Sequence, residues 1–332
     1  MPKPRVFVTR LILDKGLDKI KSFCEADVWP EEAPPSHDIL LERVRGVEGL
    51  LCLLTDPVDA AVMEAAGPGL KVISNHAVGV DNVDLAAATA RRIPVGNTPG
   101  ILTDATADMA FALLLSAARR VVEGERFVRL GKWKTWGPSL LMGVELRGAT
   151  LGVVGFGRIG QAVARRAAGF DMRVLFTEPR PVSPDPDLSA TQVDLETLLK
   201  ESDFVSLHCP LTAETRGLMN AAAFARMKPT AVLVNTSRGP VVDQAALYEA
   251  LRSGRIFAAA LDVTDPEPLP PDSPLLTLDN LIVVPHIASS NRATREKMSL
   301  MAAENLIAGL KGKRLPNCAN PEVYSNPRIN TK

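Results

Sequence analysis

Arg238, Glu267 and His286 are the side chains through which this sequence can do chemistry. Arg238 closes a buried-strand pattern, Val232-Leu-Val-Asn-Thr-Ser-Arg238-Gly, and His286 closes another, Val283-Val-Pro-His286-Ile. Glu267 stands in the turn Asp-Pro-Glu267-Pro that follows Leu261-Asp262-Val. The planar fork of an arginine matches the two oxygens of a carboxylate. A histidine exchanges protons near neutral pH, and a carboxylate beside it favours its charged form. One histidine or glutamate at a strand end is more often structural than catalytic. All three groups at carboxyl ends of one sheet point instead to a site that holds an anion and moves a proton.

A second stretch says what stands beside that site. A short apolar run, Leu151 to Val154, reads as a buried strand and breaks into Gly155-Phe-Gly157-Arg158-Ile159-Gly160. A helical pattern follows through Ala162, Val163 and Ala167. Strand, Gly-x-Gly-x-x-Gly and helix in that order are the dinucleotide fingerprint. Gly155 allows a tight turn, Gly157 lets the backbone approach a pyrophosphate, and Gly160 lets the helix pack closely on the strand. The helix N-terminus offers unpaired N–H groups to the phosphates. Glu178 closes the next strand pattern eighteen residues after Gly160, where the ribose-binding acid belongs. A carboxylate there repels a 2′-phosphate, so NAD(H) is favoured over NADP(H), and Arg180 nearby would soften that preference.

Positioning these groups takes alternating strands and helices. The chain has 332 residues, room for two domains of ordinary size. Lys+Arg and Asp+Glu both number 38, so no basic excess recruits nucleic acid or an anionic membrane. Cys24, Cys52, Cys209 and Cys318 are scattered without metal-ligand spacing, which suits reduced thiols in the cytoplasm and no metal site. No apolar run is long enough to span a bilayer, and Met-Pro-Lys-Pro-Arg leads directly into a strand at Val6 to Val8 with no secretory leader pattern.

Strand patterns recur at Gly49 to Leu54 and Lys71 to Ser74, with helical ones at Leu17 to Phe23, Val58 to Ala66 and Leu85 to Ala90. This first α/β unit lacks the glycine fingerprint. Its loop Asn75-His-Ala-Val-Gly-Val-Asp-Asn-Val-Asp84 follows a strand end. Val78 and Gly79 can present backbone N–H groups to a carboxylate, and an ordinary turn needing a glycine explains them equally well. Asn97-Thr-Pro-Gly100 marks the boundary. The helix from Asp104 to Arg120 has an apolar face wide enough to be buried between domains, and Trp133 and Trp136 follow in a loop. From Thr150 the alternation resumes, with strands at Arg173 to Phe176, Phe204 to Leu207, Ala231 to Val234, Ala258 to Val263 and Leu281 to Val284. A last helix, Thr294 to Leu310, has no strand left to cover and is expected to cross back to the first unit; the stretch after Lys311 reads as tail. The fold class is α/β, two Rossmann-like doubly wound parallel-sheet domains, one of them discontinuous. The boundaries are 1–100 plus 289–332 for a substrate-binding domain and 101–288 for a dinucleotide-binding one.

The segments Asn-Thr-Ser-Arg238-Gly, Asp-Pro-Glu267-Pro and Pro-His286-Ile, with the glycine fingerprint, resemble the D-isomer-specific 2-hydroxyacid dehydrogenase family over essentially the whole chain. Ala77-Val-Gly-Val-Asp81, the run from Asn97 to Ala107, Leu261-Asp-Val and Trp133-Lys-Thr-Trp136 resemble its glyoxylate/hydroxypyruvate reductase branch. The resemblance implies reduction of a small 2-keto acid by a nicotinamide dinucleotide. It implies His286 as acid/base, Glu267 as its partner and Arg238 as the residue orienting substrate. Leu53, Val78, Gly79 and Trp136 would complete the substrate site. Pro210, Thr215, Thr236, Ser237 and Asp262 would join the fingerprint residues around the cofactor, Asp262 at the nicotinamide carboxamide. A homodimer through Asn97 to Gly148 is a further implication. D-3-phosphoglycerate dehydrogenase, and a non-enzymatic dinucleotide-sensing corepressor, are the alternatives.

Overall fold

The computed structural model describes residues 2–180, 182 and 185–325. The chain forms two compact units, one of Met1–Leu102 with Asn291–Lys332 and one of Thr103–Ser290.

The strands of the first unit are β1 (Arg5–Val8), β2 (Glu25–Val28), β3 (Gly49–Cys52), β4 (Val72–Asn75) and β5 (Val95–Gly96). They form a parallel sheet in the order β2-β1-β3-β4-β5. Alternate residues of a strand face opposite sides, and both sides of this sheet are covered. Phe7, Leu50 and Ile73 join Val62 and Met63 in one core, whereas Val6, Val8 and Val72 meet Ile20 and Leu306 in the other. Leu306 belongs to the helix Arg292–Leu310, which returns to this unit; Ser74 Oγ donates to its Ala302 carbonyl at 2.8 Å.

The strands of the second unit are β6 (Thr150–Val154), β7 (Arg173–Thr177), β8 (Ala190–Gln192), β9 (Phe204–Leu207), β10 (Val232–Asn235), β11 (Ala258–Leu261) and β12 (Leu281–Val283). Their parallel sheet has the order β12-β11-β10-β9-β6-β7-β8. Strand order reverses between β6 and β9, and α/β sheets bind ligands outside the carboxyl ends at such a switch point. The helix Thr103–Ala118 packs within this unit, its Ala107, Phe111 and Leu114 meeting Val153, Val163 and Val234. Its wide apolar face is thus accounted for by the sheet of its own unit.

Other expectations need correcting. The stretch after Lys311 is no loose tail as far as Ser325. Cys318 bridges Gly96 in antiparallel fashion. Asn320 is fully buried, taking the Val95 N–H on Oδ1 at 2.8 Å and giving Nδ2 to the Ile93 carbonyl at 3.0 Å. An asparagine amide matches an edge strand's unpaired donors and acceptors, so a polar stretch can dock where an apolar pattern would not announce it. Residues 326–332 lie outside the described part. Strands β2, β5 and β8 also escape the hydrophobic pattern: all three are edge strands, β2 and β8 carry polar residues such as Glu25, Asp27 and Gln192, and β5 is only two residues long.

Candidate active site

The glycine turn follows β6. Gly155 has φ +89°, and a Cβ there would lie 2.5 Å from the Cys209 backbone nitrogen. A Cβ on Gly160 would lie 2.2 Å from the Gly155 carbonyl oxygen. Gly157 differs, because nothing stands within 4 Å of the place its Cβ would take. Gly157 also opens the helix Arg158–Ala167 without a side-chain cap, so first-turn N–H groups remain for an anion. Glu178, just past β7, takes the Phe156 N–H on Oε2 at 3.0 Å, tying the acid to the glycine turn. This crowding at two glycines and open backbone at the third fit a dinucleotide pyrophosphate. Arg158 and Arg180 are exposed, and Ile159 is half-buried. Thr215 Oγ1 donates to the Pro210 carbonyl at 2.6 Å, closing the loop after β9.

Three neighbouring strand ends carry the reactive side chains. After β10, Asn235 accepts on Oδ1 from the Ser237 N–H (2.9 Å) and hydroxyl (2.7 Å), while Nδ2 donates to the Arg238 carbonyl at 2.9 Å. A short polar side chain of this kind folds the turn on itself, and it holds Thr236, Ser237 and Arg238 in place. A Cβ on Gly239 would lie 1.9 Å from the Thr264 carbonyl oxygen, so glycine is what lets this turn close on the loop leading to Glu267. The Asn235 carbonyl accepts the Asp262 N–H at 2.9 Å, and the Asp262 carbonyl accepts the His286 N–H at 2.9 Å.

Glu267 Oε1 lies 2.6 Å from His286 Nδ1. A carboxylate at Nδ1 orients the ring and leaves Nε2 as the nitrogen that exchanges a proton with a ligand. His286 itself has φ +52°, an uncommon conformation for a residue with a side chain. Asp262 accounts for how it is held. Its buried carboxylate accepts the Ile287 N–H at 2.6 Å and the Ala288 N–H at 2.9 Å, pinning the loop on the far side of the histidine. Burial still pushes the Asp262 carboxyl above the usual range, against those two N–H groups. A nicotinamide contact at Asp262 would share these oxygens.

Two further groups lie nearby, His208 half-buried and Cys209 buried. His208 contacts Ser206 Oγ through Nε2 at 2.8 Å and Thr236 Oγ1 through Nδ1 at 3.5 Å, and burial lowers its imidazole to about 3. The Cys209 thiol, pushed up to about 11 by burial, is no nucleophile at neutral pH.

Leu53, Val78 and Gly79 belong to the first unit, where Leu53 N–H donates to the buried Asp56 carboxylate at 2.7 Å. Trp136 is 78% exposed in the second unit. Sequence reasoning missed Asn235 and Asp56. Asparagine or aspartate at the end of an apolar run is the signal that finds both. Among the described residues no cluster of His, Cys, Asp and Glu could hold a metal.

A glycine turn that fits a dinucleotide shares one sheet with a carboxylate–imidazole pair, an arrangement that can couple hydride transfer to proton transfer. The sequence model of the "D-isomer specific 2-hydroxyacid dehydrogenase, NAD binding domain" matches residues 111–288. A glyoxylate reductase from Korarchaeum cryptofilum is 55% identical over 97% of this chain and 97% of its own length. A solved structure from Thermus thermophilus superposes with TM-score 0.89 at 52% identity, covering 95% of this chain and 99% of that one. An NADPH-dependent glyoxylate/hydroxypyruvate reductase from Sinorhizobium meliloti, solved with NADP and malonate, gives TM-score 0.82 at 32% identity over 95% and 96% of the two chains. The chain belongs to the D-isomer specific 2-hydroxyacid dehydrogenase family.

Proposed function

We propose that this protein reduces glyoxylate to glycolate, which has no stereocentre, and hydroxypyruvate as a second substrate to its D-2-hydroxy acid. The observation that carries the reading is the 2.6 Å contact between Glu267 and His286, one strand end away from Arg238. The Gly155–Gly160 turn and Glu178 would hold NADH, which when bound would supply the hydride for C2. Arg238 holds the substrate carboxylate through its planar fork and polarises the keto group. His286 gives the proton on Nε2 to the keto oxygen as negative charge develops there, and takes it back in the reverse direction. Glu267 stabilises the imidazolium and fixes the ring. Val78 and Gly79 of the first unit are read as N–H donors for a substrate carboxylate, with Leu53 as a further substrate residue.

NADH is the preferred cofactor in this reading, because the Glu178 carboxylate, tied to the glycine turn, would repel a 2′-phosphate. The NADPH dependence of the Sinorhizobium meliloti enzyme makes this a feature to test in this chain. The exposed apolar side chains between Val121 and Met142, Trp133 and Trp136 among them, support a homodimer through that segment. In that dimer Trp136 would reach the partner's substrate site. Cytoplasmic residence is supported by the four free cysteines. Among the described residues no helix is long and apolar enough to cross a membrane.

NADH and NADPH oxidation, followed separately with glyoxylate, hydroxypyruvate, pyruvate and 2-ketoglutarate, tests the reading. Turnover of glyoxylate with NADH above NADPH is expected. No turnover with any of the four would favour a dinucleotide-sensing binding protein.

A further inference from the structure

The turn after β4 is held by side-chain amides in a way that fixes where its own N–H groups point. The Ala77 carbonyl accepts the Thr98 N–H at 2.8 Å. The Val78 carbonyl accepts Asn97 Nδ2 at 2.8 Å, and the Gly79 carbonyl accepts Asn75 Nδ2 at 2.9 Å. In a trans peptide the C=O and the following N–H lie in one plane and point in opposite directions. Anchoring the Ala77 and Val78 carbonyls therefore turns the Val78 and Gly79 N–H groups together towards the other side of the turn. Among the described residues, no acceptor meets either of these N–H groups, although both residues are only half-exposed. Both N–H groups thus remain open to an acceptor on a ligand.

The anchors are themselves anchored. The Asn97 carbonyl accepts Asn305 Nδ2 at 2.9 Å from the helix Arg292–Leu310, and Asn305 is fully buried. Asn75 Nδ2 also donates to Asn82 Oδ1 at 2.9 Å. Asn82 Nδ2 in turn donates to the carbonyls of Leu53 (2.9 Å) and Asp56 (3.0 Å). The amides of Asn75 and Asn82 thus join the Val78–Gly79 turn to the loop that carries Leu53.

We propose that Asn97, Asn75 and Asn82 are positioning residues for substrate binding. Asn97 orients the Gly79 N–H as a carboxylate donor, and the Asn75–Asn82 pair keeps that donor in register with Leu53. The proposal rests on the reading of Val78 and Gly79 as carboxylate donors. It adds side chains that touch neither substrate nor cofactor and act through backbone geometry.

The test uses Asn97→Ala, which removes the amide, and Asn97→Asp, which keeps its shape but, when ionised, cannot donate to the Val78 carbonyl. Both are expected to raise the glyoxylate KM about tenfold, as loss of one hydrogen bond to a charged group does. The NADH Kd and the thermal midpoint should stay at wild-type values. Chemical shifts of the Val78 and Gly79 amides in 15N-labelled enzyme with NADH bound, titrated with oxamate, separate the two ideas. Amides that do not respond to oxamate in the wild type would overturn the carboxylate-donor reading itself. A Gly79 amide that responds equally in wild type and Asn97→Ala would overturn the positioning role alone, as would an unchanged glyoxylate KM. Should Asn97→Ala lower the thermal midpoint, Asn82→Ala, which leaves the Asn97 contact intact, provides the second measurement. It should raise the KM for hydroxypyruvate and glyoxylate without changing the NADH Kd, and an unchanged KM would overturn the link to Leu53.

Discussion

Glu267 and His286 meet through Oε1 and Nδ1 at 2.6 Å although they stand nineteen positions apart in the chain. The contact exists because β11 and β12 are neighbours in a parallel sheet, so the loops leaving their carboxyl ends run side by side. Asp262, at the end of β11, holds the backbone on both sides of the histidine, taking its N–H on the carbonyl and those of Ile287 and Ala288 on the carboxylate.

Replacing Glu267 by Gln keeps the shape of the contact and removes its charge. In the proposed mechanism reduction needs the protonated imidazole, so activity is lost as pH rises. With no carboxylate at Nδ1 the proton leaves more readily, and the basic limb of the kcat/KM profile for glyoxylate reduction should move to lower pH. A limb that stays where it is in the wild type would separate Glu267 from the proton transfer.

Glu178 makes a prediction about cofactor choice. Its carboxylate is tied to the Phe156 N–H at 3.0 Å, so it cannot swing freely away from an incoming phosphate. The wild type should use NADH with higher kcat/KM than NADPH. Glu178→Ser should narrow or reverse that ratio by about tenfold or more, the effect of removing one close like-charge repulsion. A wild-type preference for NADPH would mean that Arg180 outweighs the acid.

Much of this was legible in the sequence, and the reason is physical. Parallel strands covered on both faces are continuous apolar runs, so Leu151 to Val154 and Val232 to Val234 announce themselves, and polar residues at their ends stand out. What hides are contacts whose partners have no pattern of their own. Asn97 meets Val78 nineteen positions away, and Asn82 meets Leu53 twenty-nine positions away, and a lone asparagine carries no periodicity. Asn320 docks a stretch that composition alone marks as tail. Strands β2 and β8 escape because edge strands tolerate charge.

Two histidines, His76 buried and His208 half-buried, predict how stability responds to acid. Burial, aided by the Arg295 charge, lowers His76 in the first unit to about 4. His208 in the second is lowered by burial to about 3. Unfolded, each would titrate near a pKa of about 6.5. Both histidines are neutral in the folded chain, so between these limits the unfolded state binds more protons. Stability is then full above about pH 6.5 and declines as pH falls towards the folded values, by about 2 kcal/mol per histidine at pH 5. The thermal midpoint of the wild type should drop between pH 7 and pH 5, and His76→Gln should drop less. Parallel curves for the two proteins would show that His76 is not a source of the acid sensitivity.

The most direct test of the account is the rate of glyoxylate reduction by His286→Gln with saturating NADH. General acid catalysis by a positioned histidine contributes about a hundred- to ten-thousand-fold, so kcat should fall by a factor in that range while the NADH Kd is unchanged. A His286→Gln enzyme that keeps kcat within a few-fold of the wild type would contradict the assignment of His286 as the proton donor, and with it the chemistry derived from its contact with Glu267.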